Sequence, residues 1–248
     1  MKTVVITGGT KGIRADIARV FLEAGYQVLI GARHRSGLAE IKHEHLKFQK
    51  IDVREESGHK KLIHKALDWT GSLDCFINCA GFSRWSKLNQ VDEIFWNEML
   101  DINLKGTFWG CKVAAENLSQ GGSIVNVSSL AGKRGSANNS VYCASKFGVN
   151  GITQSLAKEL GPSGIRVNAV CPVYVETPGL LKALENLDSP PAGQDTSTYL
   201  QDFAQSQAGL NRLPLGSEVA DICLYLASDS ASAVTGQCIN VDCGVLPQ

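Results

Sequence analysis

Tyr142 and Lys146 stand four residues apart at the start of an apolar-periodic run from Tyr142 to Leu160. Residues four apart stack on one face of a helix, so a helix here points the phenol and the ammonium into the same space. A phenol transfers protons poorly at neutral pH because its reference pKa is about 10. An ammonium about 4 Å away, at an effective dielectric of about 20, favours the phenolate by roughly 4 kcal/mol, or about three pK units. A pair tuned in this way can give a proton to a carbonyl oxygen or take one from an alcohol. Ser129 lies just after the apolar run Ser123 to Val127, and its hydroxyl can hold the same substrate oxygen. The spacing alone also fits a half-buried tyrosine beside a solvated lysine, so the elements around the pair must decide.

Those elements alternate. Apolar, β-branched-rich runs occur at residues 3–6, 27–30, 47–51, 73–77, 123–127, 166–170 and 237–241. Helical periodicity fills most of the gaps, at about 12–24, 55–70, 92–118, 142–160 and 217–227. Strand and helix in alternation predict right-handed βαβ units and a parallel sheet. The expected fold class is α/β: one Rossmann-type, doubly wound domain over residues 1–248, with about seven parallel strands and helices on both faces. One stretch breaks the alternation. Residues from about 172 to 216 have little strand character and contain Pro178, Pro190, Pro191 and Pro214. This excursion follows a strand's carboxyl end, where a substrate lid would sit.

Composition excludes several classes. The 248 residues carry 24 basic and 24 acidic side chains, and no basic stripe argues for nucleic acid. No apolar run is long enough to span a membrane, and no signal-peptide pattern is present, so a cytoplasmic setting is expected. The eight cysteines are scattered singly through apolar runs, which suits free thiols packed as small hydrophobes. Cys143 neighbours Tyr142 but points about 100° away on a helix and is read as structural. The pair His43 and His45 lacks a supporting carboxylate or thiolate set, and no metal is expected.

The first strand runs into Thr7-Gly8-Gly9-Thr10-Lys11-Gly12-Ile13. Glycines at a strand-to-helix turn let the backbone approach a pyrophosphate, which the helix N-terminus then stabilises. At the end of the second strand an acidic residue would select NAD, but no Asp or Glu occurs between Ala24 and Ala39. Arg33 stands there instead, and with Lys11 it suits a 2′-phosphate, pointing to NADP(H) rather than NAD(H). Asp52 and Val53, ending the third strand, would border the adenine. Asn78, Ala80 and Gly81 end the fourth strand on the same carboxyl edge as Ser129.

Assembled in this order, the residues resemble the short-chain dehydrogenase/reductase family along nearly the whole chain. The likeness is to its classical branch, similar to 3-oxoacyl-acyl-carrier-protein reductases. The matching residues are Thr7-Gly8-x-x-x-Gly12, Asn78-x-Ala80-Gly81, Asp101-Ile102-Asn103, Ser129, Tyr142-x-x-x-Lys146, Arg166-Val167-Asn168-Ala169-Val170, and Thr235-Gly236-x-x-Ile239-x-Val241-Asp242-x-Gly244. The resemblance implies Tyr142 as acid/base, Lys146 lowering its pKa and bonding the nicotinamide ribose, and Ser129 orienting the substrate oxygen. It implies that Asn103 holds a water linking Lys146 to solvent and that Thr177 lies by the carboxamide. It also places Gly8, Thr10, Lys11, Gly12, Ile13, Pro172 and Val175 along the cofactor, and suggests a homotetramer.

Three positions depart from the family pattern. Arg14 replaces a third glycine, Val173 follows Pro172 where glycine is usual, and Cys79 replaces a second asparagine. The expected activity is NADP(H)-dependent hydride transfer between nicotinamide and a ketone or secondary alcohol, 3-oxoacyl-type or similar and possibly acyl-carrier-linked. The alternatives are epimerisation or dehydration on the same scaffold, or a cofactor-impaired regulatory homologue on account of Arg14 and Val173. The stem of Arg14 is expected to push the first helix and the cofactor apart, so that Arg14→Gly tightens NADPH binding.

Overall fold

The computed structural model describes residues 1–8, 12–35 and 41–247. Seven strands form one parallel sheet: β1 (Thr3–Thr7), β2 (Gln27–Ala32), β3 (Leu46–Lys50), β4 (Cys75–Asn78), β5 (Ser123–Val127), β6 (Arg166–Pro172) and β7 (Cys238–Val241), in the order β3-β2-β1-β4-β5-β6-β7. Every described pairing is parallel. Among the described residues eight α-helices accompany them: α1 (Ile13–Glu23), α2 (Glu56–Thr70), α3 (Glu93–Leu100), α4 (Gly106–Ala115), α5 (Ser140–Leu160), α6 (Pro178–Leu184), α7 (Thr196–Gln207) and α8 (Gly216–Ala227).

The inner strands β1, β2 and β4 are buried almost throughout because both of their faces are covered, whereas the edge strand β3 carries Lys47, Gln49 and Lys50. Val4 and Ile6 of β1, with Val28 and Ile30 of β2, pack in one cluster with α1 and α8. Val5 and Leu29, one residue out of phase, pack in the opposite cluster with α2, α4 and α5. A one-residue slip of either strand would exchange its two faces, so the register is firmly set.

The strand order reverses direction at β1, which pairs with β2 on one side and β4 on the other. Thr7 is level with Gly31 and Asn78, and Asn78 is level with Asn126. Gly8, Cys79 and Val127 therefore come out side by side on the carboxyl edge, at the place where open parallel sheets bind ligands.

The expected helix at 92–118 runs as one helical stretch from Glu93 to Ala115, with a π segment inside it. Asp101–Lys105, between α3 and α4, forms a π turn. Such turns insert a residue into the helical ladder and re-aim the side chains around it. The excursion after β6 contains two helices, each with a sequence signal. Thr177 caps α6, accepting a bond from Leu180 N, with Pro178 in the first turn. Asp195 caps α7 by accepting from Thr198 N. Leu184 and Leu200 of these helices bury against Trp85, beyond β4, so the excursion roofs the carboxyl edge.

Candidate active site

The turn after β1 is shaped by glycine where the chain elements meet most closely. Gly8 has φ +114° and Gly12 φ +64°, in the region that favours glycine. A Cβ on Gly8 would lie 2.9 Å from Ala80 N, and one on Gly12 would lie 2.8 Å from Thr177 Cγ2. The first glycine thus admits the end of β4, and the second admits the cap of α6. Thr10 and Lys11, expected at the phosphates, lie outside the described residues.

Two cavities open along this edge. The larger, about 500 Å³, is lined by Ser129, Tyr142, Lys146, Pro172, Val175 and Thr177, with Ile13 at its glycine-turn side. The smaller, about 350 Å³, is lined by Gly8, Arg33, Asp52, Val53 and Ala80. Arg14, Gly81 and Phe82 line both. The expected substrate and nicotinamide residues are gathered at one end and the expected adenine residues at the other. Two adjoining cavities that share Arg14, Gly81 and Phe82 fit an extended dinucleotide.

In the larger cavity Ser129 follows β5 and caps a short 3-10 turn, its Oγ accepting from Ala131 N at 3.1 Å. Tyr142 and Lys146 lie one turn apart on α5. Lys146 is only 6% exposed, and its Nζ donates to the carbonyl of Val127 at 2.8 Å. It sits 5.8 Å from the centre of the Tyr142 ring.

This geometry corrects the electrostatic expectation for the pair. Burial pushes the Tyr142 phenol up to about 12, and the Ser129 hydroxyl and the Arg14 charge only partly offset it. Burial also brings the Lys146 ammonium down to about 8. The ammonium is turned to a backbone carbonyl at the end of β5, and desolvation outweighs the neighbouring charge. The Tyr142 phenol therefore keeps its proton at neutral pH.

Asn103 is fully buried within the π turn. Its Oδ1 accepts from Phe82 N at 3.0 Å and its Nδ2 donates to Phe82 O at 2.9 Å. The side chain is thus committed to the chain just past Gly81. Asn78 also differs from expectation. Its Nδ2 donates inward to Asn126 Oδ1 at 3.0 Å, so the side chain is a link between β4 and β5 and leaves only its backbone to the carboxyl edge.

At the far end Arg33 is exposed and lies beside Asp52, whose carboxyl it helps to hold below the usual range. The larger influence on Asp52 is Arg54, which grips both carboxylate oxygens through Nε at 3.0 Å. Arg54 escaped the sequence reading; Asp52 at the strand end signals a turn, its Oδ1 accepting from Arg54 N at 3.0 Å, but nothing in that signal specifies the arginine side chain. Also missed were Tyr174 and Phe203, whose rings meet edge-on at 4.9 Å and line the larger cavity. No sequence signal joins them, because they come from separate parts of the excursion.

Among the described residues no helix is long and apolar enough to cross a membrane, and no cluster of three or more metal-ligating side chains occurs.

The sequence profile described as enoyl-(acyl carrier protein) reductase matches residues 8–246. A 3-oxoacyl-(acyl-carrier-protein) reductase of Thermotoga maritima is 34% identical, over 99% of this chain and 98% of the relative. Among solved structures, the ligand-free aldohexose dehydrogenase of Thermoplasma acidophilum superposes with a TM-score of 0.89 at 30% identity, covering 100% of this chain and 97% of its own. A variant of the actinorhodin polyketide ketoreductase, solved with NADPH, also gives 0.89 at 32% identity, covering 98% and 97%. Glycine turn, Ser129, Tyr142 and Lys146 gathered on one carboxyl edge, together with likeness along the full chain, show that this chain belongs to the short-chain dehydrogenase/reductase family.

Proposed function

We propose that this chain is an NADP(H)-dependent reductase of ketones, with 3-oxoacyl-type substrates, carrier-linked or free, as the class to test first. The observation that carries the reading is the half-buried Tyr142 facing the same cavity as Ser129 and Lys146, at the end of a crevice sized for a dinucleotide. Relatives named as 3-oxoacyl reductases and a ketoreductase solved with NADPH support it.

When bound, NADPH supplies a hydride to the carbonyl carbon. Pro172, Val175 and Thr177 would hold its nicotinamide end, Gly12 and Ile13 its middle, and Asp52, Val53 and Ala80 its adenine. Arg33 would meet the 2′-phosphate. The Ser129 hydroxyl orients the substrate oxygen. Tyr142 gives its proton to that oxygen as negative charge develops, and the Lys146 ammonium beneath it stabilises the phenolate left behind. Asn103 keeps Phe82 and the adjoining Gly81 in place beside Lys146. Val173 does not spoil the wall, since its N–H continues the pairing with β7 by donating to Val241 O.

The test is loss of NADPH absorbance with a panel of ketones and 3-oxoacyl thioesters, on wild type and Tyr142→Phe. The Phe form should turn over at below about a tenth of the wild-type rate while binding NADPH within a few-fold, because it lacks only the transferable proton. Binding of NADPH without consumption on any ketone would favour epimerisation or dehydration.

A cytoplasmic homotetramer is part of this proposal. Phe108 on α4 and Phe147 on α5 are 41% and 48% exposed, beyond the stripe that packs on the sheet. Sedimentation as a monomer at micromolar concentration would contradict it.

A further inference from the structure

Arg14 lies along the floor of the crevice where the two cavities join. Its stem passes over Gly8, and a Cβ there would be 3.0 Å from Arg14 Cδ, so the bare glycine makes room for it. Its Nε donates to the Cys79 carbonyl at 2.8 Å, and a terminal nitrogen donates to the Gly81 carbonyl. A guanidinium has five N–H groups and these bonds use two of them. Among the described residues the remaining three have no hydrogen-bond acceptor, and Arg14 takes part in no ion pair. A permanent cation is thus aimed by two neutral carbonyls, with donors to spare, into a crevice.

The expected displacement of α1 does not occur. Ala15, Ile17 and Ala18, which follow Arg14, remain buried, and α1 keeps its place in the core beside α8. The stem leaves along the edge of the sheet and not between helix and sheet. Arginine at this position therefore costs the fold little and leaves a charge in the crevice.

Any dinucleotide that reaches from the adenine-side cavity to Tyr142 must cross this guanidinium, because Arg14, Gly81 and Phe82 are the residues both cavities share. The part of a dinucleotide that lies between its two nucleosides is the pyrophosphate. Planar guanidinium donors match phosphate oxygens in geometry and charge.

We propose that Arg14 is a pyrophosphate ligand, a side-chain anchor fixed to the end of β4 that stands where the family carries a glycine. The proposal rests on the NADP(H) reading above. It reverses the expectation that Arg14→Gly tightens binding.

The experiment titrates wild type, Arg14→Gln and Arg14→Lys with NADPH, by fluorescence, at several ionic strengths. The same proteins are titrated calorimetrically with 2′-AMP, which carries the adenine end and no pyrophosphate. The Gln form should bind NADPH about tenfold more weakly or worse and show a shallower salt dependence, with 2′-AMP unchanged. The unchanged 2′-AMP affinity also shows that the variant is folded. The Lys form, which keeps the charge and loses the fork, should fall between. NADPH bound equally or more tightly by the Gln form would overturn the proposal and make Arg14 an obstacle, leaving the cofactor reading intact. Equal weakening of NADPH and 2′-AMP would overturn it in favour of a structural role. Failure of wild type to bind NADPH would overturn the cofactor reading and this proposal with it.

Discussion

Lys146 donates an ammonium N–H to the carbonyl of Val127, at 2.8 Å, and so ties the first third of α5 to the last residue of β5. The bond holds the buried lysine in the wall of the cavity, 5.8 Å from the centre of the Tyr142 ring. Both groups are then shifted towards their neutral forms, Tyr142 up to about 12 and Lys146 down to about 8.

A pH profile follows from these two values. In the reducing direction the free enzyme needs a protonated phenol and a charged lysine. Its kcat/KM should hold below about pH 8 and fall above it, as Lys146 loses its proton while Tyr142 keeps its own. In the oxidising direction the phenolate is the base, and the rate should climb into strongly alkaline solution. Lys146→Met should abolish the fall near pH 8 and lower the rate throughout. A reductive kcat/KM that stays flat to pH 10 would remove Lys146 from the proton balance.

Gly110 shows how tightly the far side of the site is packed. A Cβ there would stand 2.1 Å from Asn78 Oδ1 and 2.9 Å from Phe76, both buried on β4. Asn78 cannot yield without breaking its bond to Asn126. Gly110→Ala should therefore destabilise the protein by about 1–3 kcal/mol, the usual range for overpacking a core. Urea unfolding, with its slope unchanged, measures this. A loss below about 0.5 kcal/mol would show that β4 can shift.

The parts of this molecule that local patterns specify were legible in the sequence. Period and β-branching marked the strands, glycines marked the turn after β1, and i, i+4 spacing marked Tyr142 and Lys146. What was not legible depends on backbone groups far along the chain. Arg14 is held by carbonyls 65 and 67 residues away, and no side-chain pattern announces a carbonyl. The π turn at Asp101–Lys105 sits where Asn103 reaches both backbone groups of Phe82, which helical periodicity does not encode. The bond from Lys146 to Val127 O was missed for the same reason: its partner is the main chain of another element.

Arg33 should set cofactor preference. It lines the smaller cavity beside Asp52, and Arg54 already holds both oxygens of that carboxylate. With its acidic neighbour engaged elsewhere, Arg33 can turn its charge to a 2′-phosphate. Arg33→Ala should weaken NADPH by tenfold or more, in line with loss of a charge-assisted bond, and barely change NADH. Dissociation constants for both nucleotides check it. Equal losses would place Arg33 away from the 2′-phosphate.

His59 should make the protein sensitive to mild acid. The ring is fully buried on α2, with Nε2 2.9 Å from Val53 O and Nδ1 without a partner among the described residues. Burial holds its pKa below the ordinary 6.5, and the Val53 bond and the charges of Asp52 and Glu56 offset this only in part. The unfolded chain then binds the proton more readily than the folded one. Stability from this site is complete above about pH 6.5 and is lost as the pH falls towards the lowered value, at up to about 1.4 kcal/mol per unit. The strain falls on Val53, which lines the adenine-side cavity, so nucleotide binding should weaken over the same range. Urea unfolding and 2′-AMP titration at pH 7.5 and 5.5 measure both effects. His59→Gln, which keeps a donor for Val53 O and cannot take up a proton there, should flatten the two responses. An acid response of equal size in the Gln form would assign the sensitivity to other groups.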